Sequence, residues 1–217
     1  MISGSGRPGP ARSRDHREIR PYGEDGLLVE VLEPDGVLGL YAALAAASID
    51  GVEEVIPAAC TVLLRLRPGA DSDRVAREVG SLPSLDPDRQ PGELVEIPVT
   101  YDGPDLDDVA VLTKLSVEQI VALHTGRELT VAFCGFAPGF AYLSGLPKDL
   151  QVSRRDEPRT RVPAGSVGLA GDRTGVYPRE SPGGWQLIGR TDVVLWDLER
   201  DPPALLRPGL RVRFTVA

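Results

Sequence analysis

Apolar and polar residues alternate over Gly26–Leu32 (GLLVEVL), and "EIRPYG" precedes it; the two read as strands joined by a turn at Gly23–Gly26. Gly36–Ser48 (GVLGLYAALAAAS) predicts an Ala/Leu-rich helix, apolar around much of its girth and therefore largely buried. "VEEVIP" and "CTVLLRL" predict two short strands bounded by Pro57 and Pro68. Asp71 then caps a helix through about Val79, with Val75 and Val79 on one face. After a Pro/Asp-rich break at Ser81–Gly92, Leu94–Thr100 opens a second set of elements. Asp105–Leu112 and Ser116–His124 read as helices, the second capped by Ser116. Glu128–Phe136, Val193–Leu198 and the alternating end of Arg207–Val216 read as strands.

This order predicts an α+β protein: a small sandwich of the ferredoxin-like kind over 17–90 and a β-rich unit over 91–217. Residues 1–16, mostly Gly, Pro, Ser and Arg, are too polar to fold alone and read as a disordered tail. Within the second unit, Pro158–Arg190 is the stretch richest in Gly, Pro and Arg. Its short pieces "SVGLA" and "GVY" alternate with turn formers, which suits a small barrel or sandwich. Arg159, Arg161, Arg173, Arg179 and Arg190 share it with Ser166, Thr174, Tyr177, Ser181 and Gln186. So many donors on a tight β scaffold suit an anionic small molecule; the alternative is that the glycines and prolines build turns and the arginines face water.

Charge narrows the classes. The net charge of −8 argues against nucleic acid or an anionic membrane as partner, and no apolar run reaches membrane-spanning length. The opening residues lack a secretory apolar stretch, so a cytoplasmic protein is expected. Cys60 and Cys134 give no disulfide framework and read as small core hydrophobes. A P-loop, a G-x-S-x-G elbow and zinc spacing are missing from the sequence, so no metal site is expected.

Other segments hold candidate chemistry. Gly135, Gly139 and Gly145 of "CGFAPGFAYLSGLP" allow a backbone anion nest, and Phe136, Phe140 and Tyr142 either wall a pocket or pack in the core. His124 ends a helix, where the dipole favours its charged form; it is either a cap or core residue, or an acid/base. Asp102 and Asp105 are helix caps or a carboxylate pair, with capping favoured for Asp105.

The motifs "FCGFAPGFAYLSGLP", "PRTRVPAGSVGLAGDRTGVYP" and "SPGGWQLIGRT", with the opening "IRPYGEDGLLVE", resemble the family of the 5-oxoprolinase B subunits (PxpB). That family includes KipI-type inhibitors of a sporulation kinase and proteins labelled allophanate hydrolase subunit 1. The resemblance implies a ferredoxin-like N-terminal domain followed by a cyclophilin-like β-barrel. It implies a direct partner of the C type (KipA or allophanate hydrolase subunit 2) and a further A-type partner, together opening 5-oxoproline to glutamate with ATP and magnesium. The same domain pair belongs to the carboxyltransferase unit of biotin-dependent urea carboxylases. Family matching carries functional roles onto His124, Gly135, Phe136, Pro138, Gly139, Arg159, Arg161, Pro163, Gly165, Ser166, Tyr177, Pro182, Gly183, Gly184, Trp185 and Gln186, with Phe140 as a pocket wall. Arg159 and Arg161 are the expected contacts to carboxylate or phosphate, the Gly183–Gly184 amides the expected oxyanion donors, and His124 the candidate acid/base. Ala141 departs from the family's proline, and Cys134 stands where Leu or Met is usual.

Overall fold

The computed structural model describes residues 17–32, 36–85 and 93–217. The expected tail over 1–16 and most of the Ser81–Gly92 break lie outside the described residues.

The first half builds one antiparallel sheet. Its strands are β1 (Arg17–Pro21), β2 (Gly26–Val31), β3 (Val52–Pro57) and β4 (Thr61–Leu66), in the order β1-β2-β4-β3. Leu27, Val29 and Val31 point to one face beside Val62, Leu64 and Leu66, as a period of two requires. That face is covered by α1 (Gly36–Ala47) and α2 (Ser72–Ser81), which bury Val37, Leu40, Leu44, Val75 and Val79 in the same core. Asp71 caps α2 as expected, its carboxylate accepting the Arg74 N–H at 2.9 Å. The helix α1 is less buried than its composition suggests: Ala45, Ala46 and Ala47 face outward, because only one stripe of a helix can meet one sheet. The position beside β2 is filled by β1, from before α1, and no described strand follows α2 in this sheet.

The second half closes on itself. Its strands are β5 (Leu94–Val99), β6 (Leu129–Cys134), β7 (Ala141–Ser144), β8 (Arg159–Val162), β9 (Ser166–Ala170), β10 (Arg173–Val176), β11 (Ser181–Gly183), β12 (Gln186–Arg190) and β13 (Arg211–Val216). Seven of them form a sheet ordered β12-β9-β10-β7-β6-β13-β5, and β8 pairs with β11 as a separate ribbon. Only the β5–β13 pairing is parallel. The two edges meet where the Thr100 N–H donates to Arg190 O at 2.8 Å and the Arg190 N–H to Thr100 O at 2.9 Å. This pair turns an open sheet into a nearly closed barrel, which removes the edge liability of both outer strands. Ile97, Val131, Leu143, Leu169, Ile188, Val212 and Phe214 fill the interior. The helices α3 (Leu106–Thr113) and α4 (Val117–Thr125) lie in sequence between β5 and β6 and pack on β12 and β13 respectively. Ser116 and Gln119 form a reciprocal capping box on α4.

Val193–Leu198, expected to be a strand, is not one. A single bridge joins Trp196 to Ala204, and the segment otherwise runs along the surface with Leu195 buried and Val194, Trp196 and Leu198 exposed. Of its six residues only Leu195 is buried, so the alternation in sequence is not matched by a buried strand face. Cys60 is exposed, not core; Cys134 is half-buried, and burial pushes its thiol up to about 11.

Gly189 sits at the closure, where an added Cβ would stand 2.5 Å from Thr100 O and 2.9 Å from a Val99 methyl. Gly189→Ala is expected to destabilise the protein by about 3 kcal/mol through overpacking against backbone. Gly80→Ala in α2, where the nearest atom is an Ile19 methyl at 3.8 Å, should instead stabilise by roughly 0.5–1 kcal/mol. Urea midpoints of the two variants check both signs.

Candidate functional site

The sequence-selected residues fall into four groups. One group meets on the outside of the barrel, where the β6–β7 loop, the end of β10 and the β11–β12 connection converge. Phe140, Tyr177 and Trp185 are buried there with Ala137, Val162 and Leu187. Phe140 meets Tyr177 edge-on at 5.3 Å and Trp185 at 5.4 Å, the arrangement that ring quadrupoles favour. Phe136 and Tyr142 flank Phe140, with ring centroids 5.4 and 4.9 Å away.

The β6–β7 loop is two consecutive tight turns. The Ala137 N–H donates to Gly135 O at 2.7 Å across Phe136, whose φ of 67° is unusual for a residue with a side chain. The Phe140 N–H then donates to Ala137 O at 2.9 Å across Pro138 and Gly139, with Gly139 at φ 82°, the proline–glycine order of a type II turn. The result holds Phe136 outward, 58% exposed. Gly139 seats this loop directly on Leu195 and Trp196.

The second group lies in the turns and strands around the β8–β11 ribbon. Pro163 and Gly165 form the β8–β9 turn, where the Gly165 N–H donates to Tyr177 O at 2.7 Å and the Thr191 N–H to Gly165 O at 2.9 Å. Ser166 is buried in β9. Pro182 and Gly183 lie in β11, and a Cβ on Gly183 would collide with the Tyr177 hydroxyl. Gly184 accepts the Arg155 N–H at 2.8 Å. Gln186, 6% exposed, donates from Nε2 to Ser153 O at 3.2 Å.

The two expected anion-binding arginines do not converge. Arg159 donates through Nη1 and Nη2 to the Asp105 carboxylate at 2.9 and 2.6 Å. Arg155 joins it at 2.7 Å, and the Leu187 N–H donates to the same carboxylate at 2.7 Å. Asp105 occupies the N-cap position of α3 but makes no side-chain cap bond, contrary to the capping expectation. Two guanidinium groups and a buried amide satisfy its oxygens more strongly than the helix N–H groups would. Arg161 is exposed on the β8–β11 ribbon and pairs with Glu180 at 2.6 Å.

His124 stands apart, inside the barrel. Thr174 Oγ1 donates to Gly168 O at 3.0 Å, so it accepts from His124 Nε2 at 3.0 Å, which leaves Nδ1 to accept the Tyr101 hydroxyl at 2.7 Å. The ring stacks on Phe214 at 4.3 Å. Burial pulls its pKa down to about 3 and pushes the Tyr101 phenol up, so both are neutral. Of the readings the sequence left open, the core residue is the one found, and it is neutral and fully bonded because desolvation outweighs the helix dipole that would favour its charged form.

Sequence reasoning passed over Arg154. It is exposed and makes no ion pair among the described residues; burial raises the Tyr142 and Tyr177 hydroxyl pKa values, and the Arg154 charge offsets part of that rise. The sequence signal is the doubled arginine, Arg154–Arg155, before Pro158. A recess of about 290 Å³ lies elsewhere, at the barrel seam, lined by Pro98, Thr100, Arg190, Val193 and Ala217.

The family described as "carboxyltransferase domain, subdomain C and D" matches residues 17–206. The chain belongs to that family. Over 123 residues it is 57% identical to the 5-oxoprolinase B subunit of Escherichia coli O157:H7, covering 55% of this chain and 56% of the relative. Over 124 residues it is 50% identical to that of Bacillus subtilis strain 168, covering 56% and 52%. The chain therefore spans about half the length of these curated relatives. Among solved structures, TTHA0988 superposes with a TM-score of 0.77 at 38% identity, over 92% of this chain and 41% of its own. The Kluyveromyces lactis urea amidolyase shares the fold, with a TM-score of 0.69 at 18% identity over 97% of this chain and 15% of its own.

Two outcomes are expected. Asp105→Asn removes the charge that two arginines share and should cost about 3 kcal/mol, read from the urea midpoint at neutral pH. For His124, a folded pKa near 3 against the ordinary 6.5 means that the unfolded chain binds the extra proton. Its contribution is complete above pH 6.5 and is lost as pH falls toward 3, with a slope of up to about 1.4 kcal/mol per pH unit. Stability curves of wild type and His124→Gln should therefore run closer together at pH 5 than at pH 7.

Proposed function

We propose that this chain is the B-type component of an ATP-dependent 5-oxoprolinase, which converts 5-oxoproline, ATP and water to glutamate, ADP and phosphate. The observation that carries this reading is the 49–57% identity to three relatives named as B subunits of 5-oxoprolinase. Its direct partner is a C-type subunit, the two act with an A-type subunit, and the chain is inactive alone.

The surface supports a shared site. Phe136 is 58% exposed at the aromatic cluster, and its loop rests through Gly139 on Leu195 and Trp196, where Val194, Trp196 and Leu198 are also exposed; exposed apolar side chains of this kind suit cover by a second polypeptide. Exposed arginines suit phosphate contacts, but among the described residues no group of three His, Cys, Asp or Glu could hold a metal ion. ATP and its magnesium are shared with the partner subunits, with the exposed Arg161 reaching across to phosphate. The ferredoxin-like reading of the first sheet is supported by its helix-covered antiparallel order, with β1 in place of a last strand. The cyclophilin-like reading of the barrel is supported by its closure and separate ribbon. No helix is long and apolar enough to cross a membrane among the described residues; a cytoplasmic location remains part of the proposal.

A second reading is a carboxyltransferase component of a biotin-dependent, urea carboxylase-like system, favoured by the family description itself.

The three purified components, of A, B and C type, should together release ADP in step with glutamate from 5-oxoproline; no turnover with all three present rejects the oxoprolinase reading. Arg161→Ala should lower that turnover strongly while leaving the urea midpoint within about 0.5 kcal/mol, since an exposed pair contributes little to stability.

A further inference from the structure

We propose that two copies of this chain pair through the outer edge of β1, antiparallel and centred on Ile19, so that their first-half sheets join into one. The pairing is independent of the 5-oxoprolinase reading.

Hydrogen-bond parity decides which backbone groups of β1 face outward. The Tyr22 N–H donates to Gly26 O at 2.8 Å, and the ladder steps by two, so Arg20 and Glu18 exchange bonds with Leu28 and Glu30. The alternate positions beside β2 turn toward β4: the Val31 N–H donates to Cys60 O at 2.9 Å and the Leu66 N–H to Asp25 O at 2.8 Å. Ile19 therefore aims its N–H and C=O away from β2, and no described strand lies beyond β1 to receive them. Pro21 has the same parity, where a missing N–H costs the sheet no bond. The end of α2 leaves this edge open. The Leu85 N–H donates to Gly39 O at 3.1 Å, so the chain leaving α2 turns across the helix layer toward α1, which packs over β3 and β4.

Charge selects the occupant and the register. Glu18 lies directly across from Glu30, an unfavourable like-charge pair, and has no cation among the described residues; Arg20 pairs with Glu30. A second β1 laid antiparallel with Ile19 opposite Ile19 sets Glu18 of each copy against Arg20 of the other, twice by symmetry. These positions fall between hydrogen-bonded pairs, where facing side chains come closest. Each Ile19 N–H then donates to the Ile19 carbonyl of the other copy. Sliding the strands by two residues sets Arg20 against Arg20 or Glu18 against Glu18, so this sequence fits itself in one register. The edge is also held in place: Arg17 Nη1 donates to Val79 O and Leu82 O at 3.2 and 2.8 Å, tying β1 to the end of α2. The two-fold axis stands perpendicular to the sheet and brings both α2 helices to the same side of the seam. A strand pairing this short suits a weak, concentration-dependent dimer.

Sedimentation equilibrium of the full chain, from roughly 10 to 500 µM at low salt, should show monomer and dimer in exchange. Glu18→Arg should weaken the dimer about tenfold or more, because two attractive pairs become repulsive together. It should do so even though it makes an acidic chain less negative, which would favour association if net charge governed it. Arg20→Glu should weaken the dimer likewise. An equimolar mixture of the two variants restores opposite charges at both positions and should dimerise as wild type does. Glu157→Arg, at an exposed acid of the second half, should leave the dimer unchanged. Urea midpoints establish that each variant is folded. If Arg20→Glu does not fold, the double variant Glu18→Arg/Arg20→Glu, which restores both pairs within one chain, replaces the mixture and should dimerise as wild type does. A chain that stays monomeric throughout overturns the pairing, whatever other protein covers the edge. A dimer that Glu18→Arg does not weaken, or a charge-restored mixture or double variant that stays monomeric, also overturns it.

Discussion

Asp105 takes a carboxylate almost wholly out of water and surrounds it with Arg155, Arg159 and the Leu187 N–H. An unpaired carboxylate there would carry a desolvation cost of several kcal/mol, so the arginines are conditions of the fold and are not spare ligand-binding groups. The cluster ties the start of α3 to β8, to the loop before β8 and to β12. It adds to the backbone bonds that already join the start of α3 to β12, where the Asp105 N–H donates to Leu187 O at 3.0 Å and the Gly103 N–H to Ile188 O at 3.2 Å. The arrangement also carries two positive charges for one negative, so the outer barrel wall stays locally basic within an acidic protein.

The aromatic cluster depends on that frame. Trp185 and Leu187 flank the strand that Asp105 holds, and Tyr177 packs against Gly183, where no side chain would fit. A positive φ at Phe136 costs of order a kilocalorie per mole and is stored in a turn that presents an apolar ring to the outside. Nothing in the packing of this chain alone requires that ring to face outward. Val194, Trp196 and Leu198 are exposed as well, in the segment on which Gly139 of that turn rests.

The barrel interior shows the opposite economy. His124, Tyr101 and Thr174 form a closed polar chain in which each donor has one acceptor, and Phe214 covers the ring. A satisfied network of this kind fixes a unique core arrangement, and its neutrality is what allows it to be buried. Chemistry at the outer wall and polarity in the core are thus separate features, although the sequence offers both as candidate site residues.

Local pattern determined most of the elements. Alternation at Leu27–Val31 and Val212–Phe214, the caps at Asp71 and Ser116, and the proline–glycine turn at Pro138–Gly139 act within a few residues, so one sequence reveals them. Partner choice does not. Val193–Leu198 alternates as a strand does, but among the described residues its only bridge is Trp196 to Ala204. Asp105 reads as a cap until Arg155 and Arg159, 50 and 54 residues away, arrive beside it. Which arginine is committed and which is available is decided by distances between segments, because electrostatic pairing depends on space and not on chain order. Tertiary structure therefore decided the site, whereas the sequence by itself decided the scaffold that carries it.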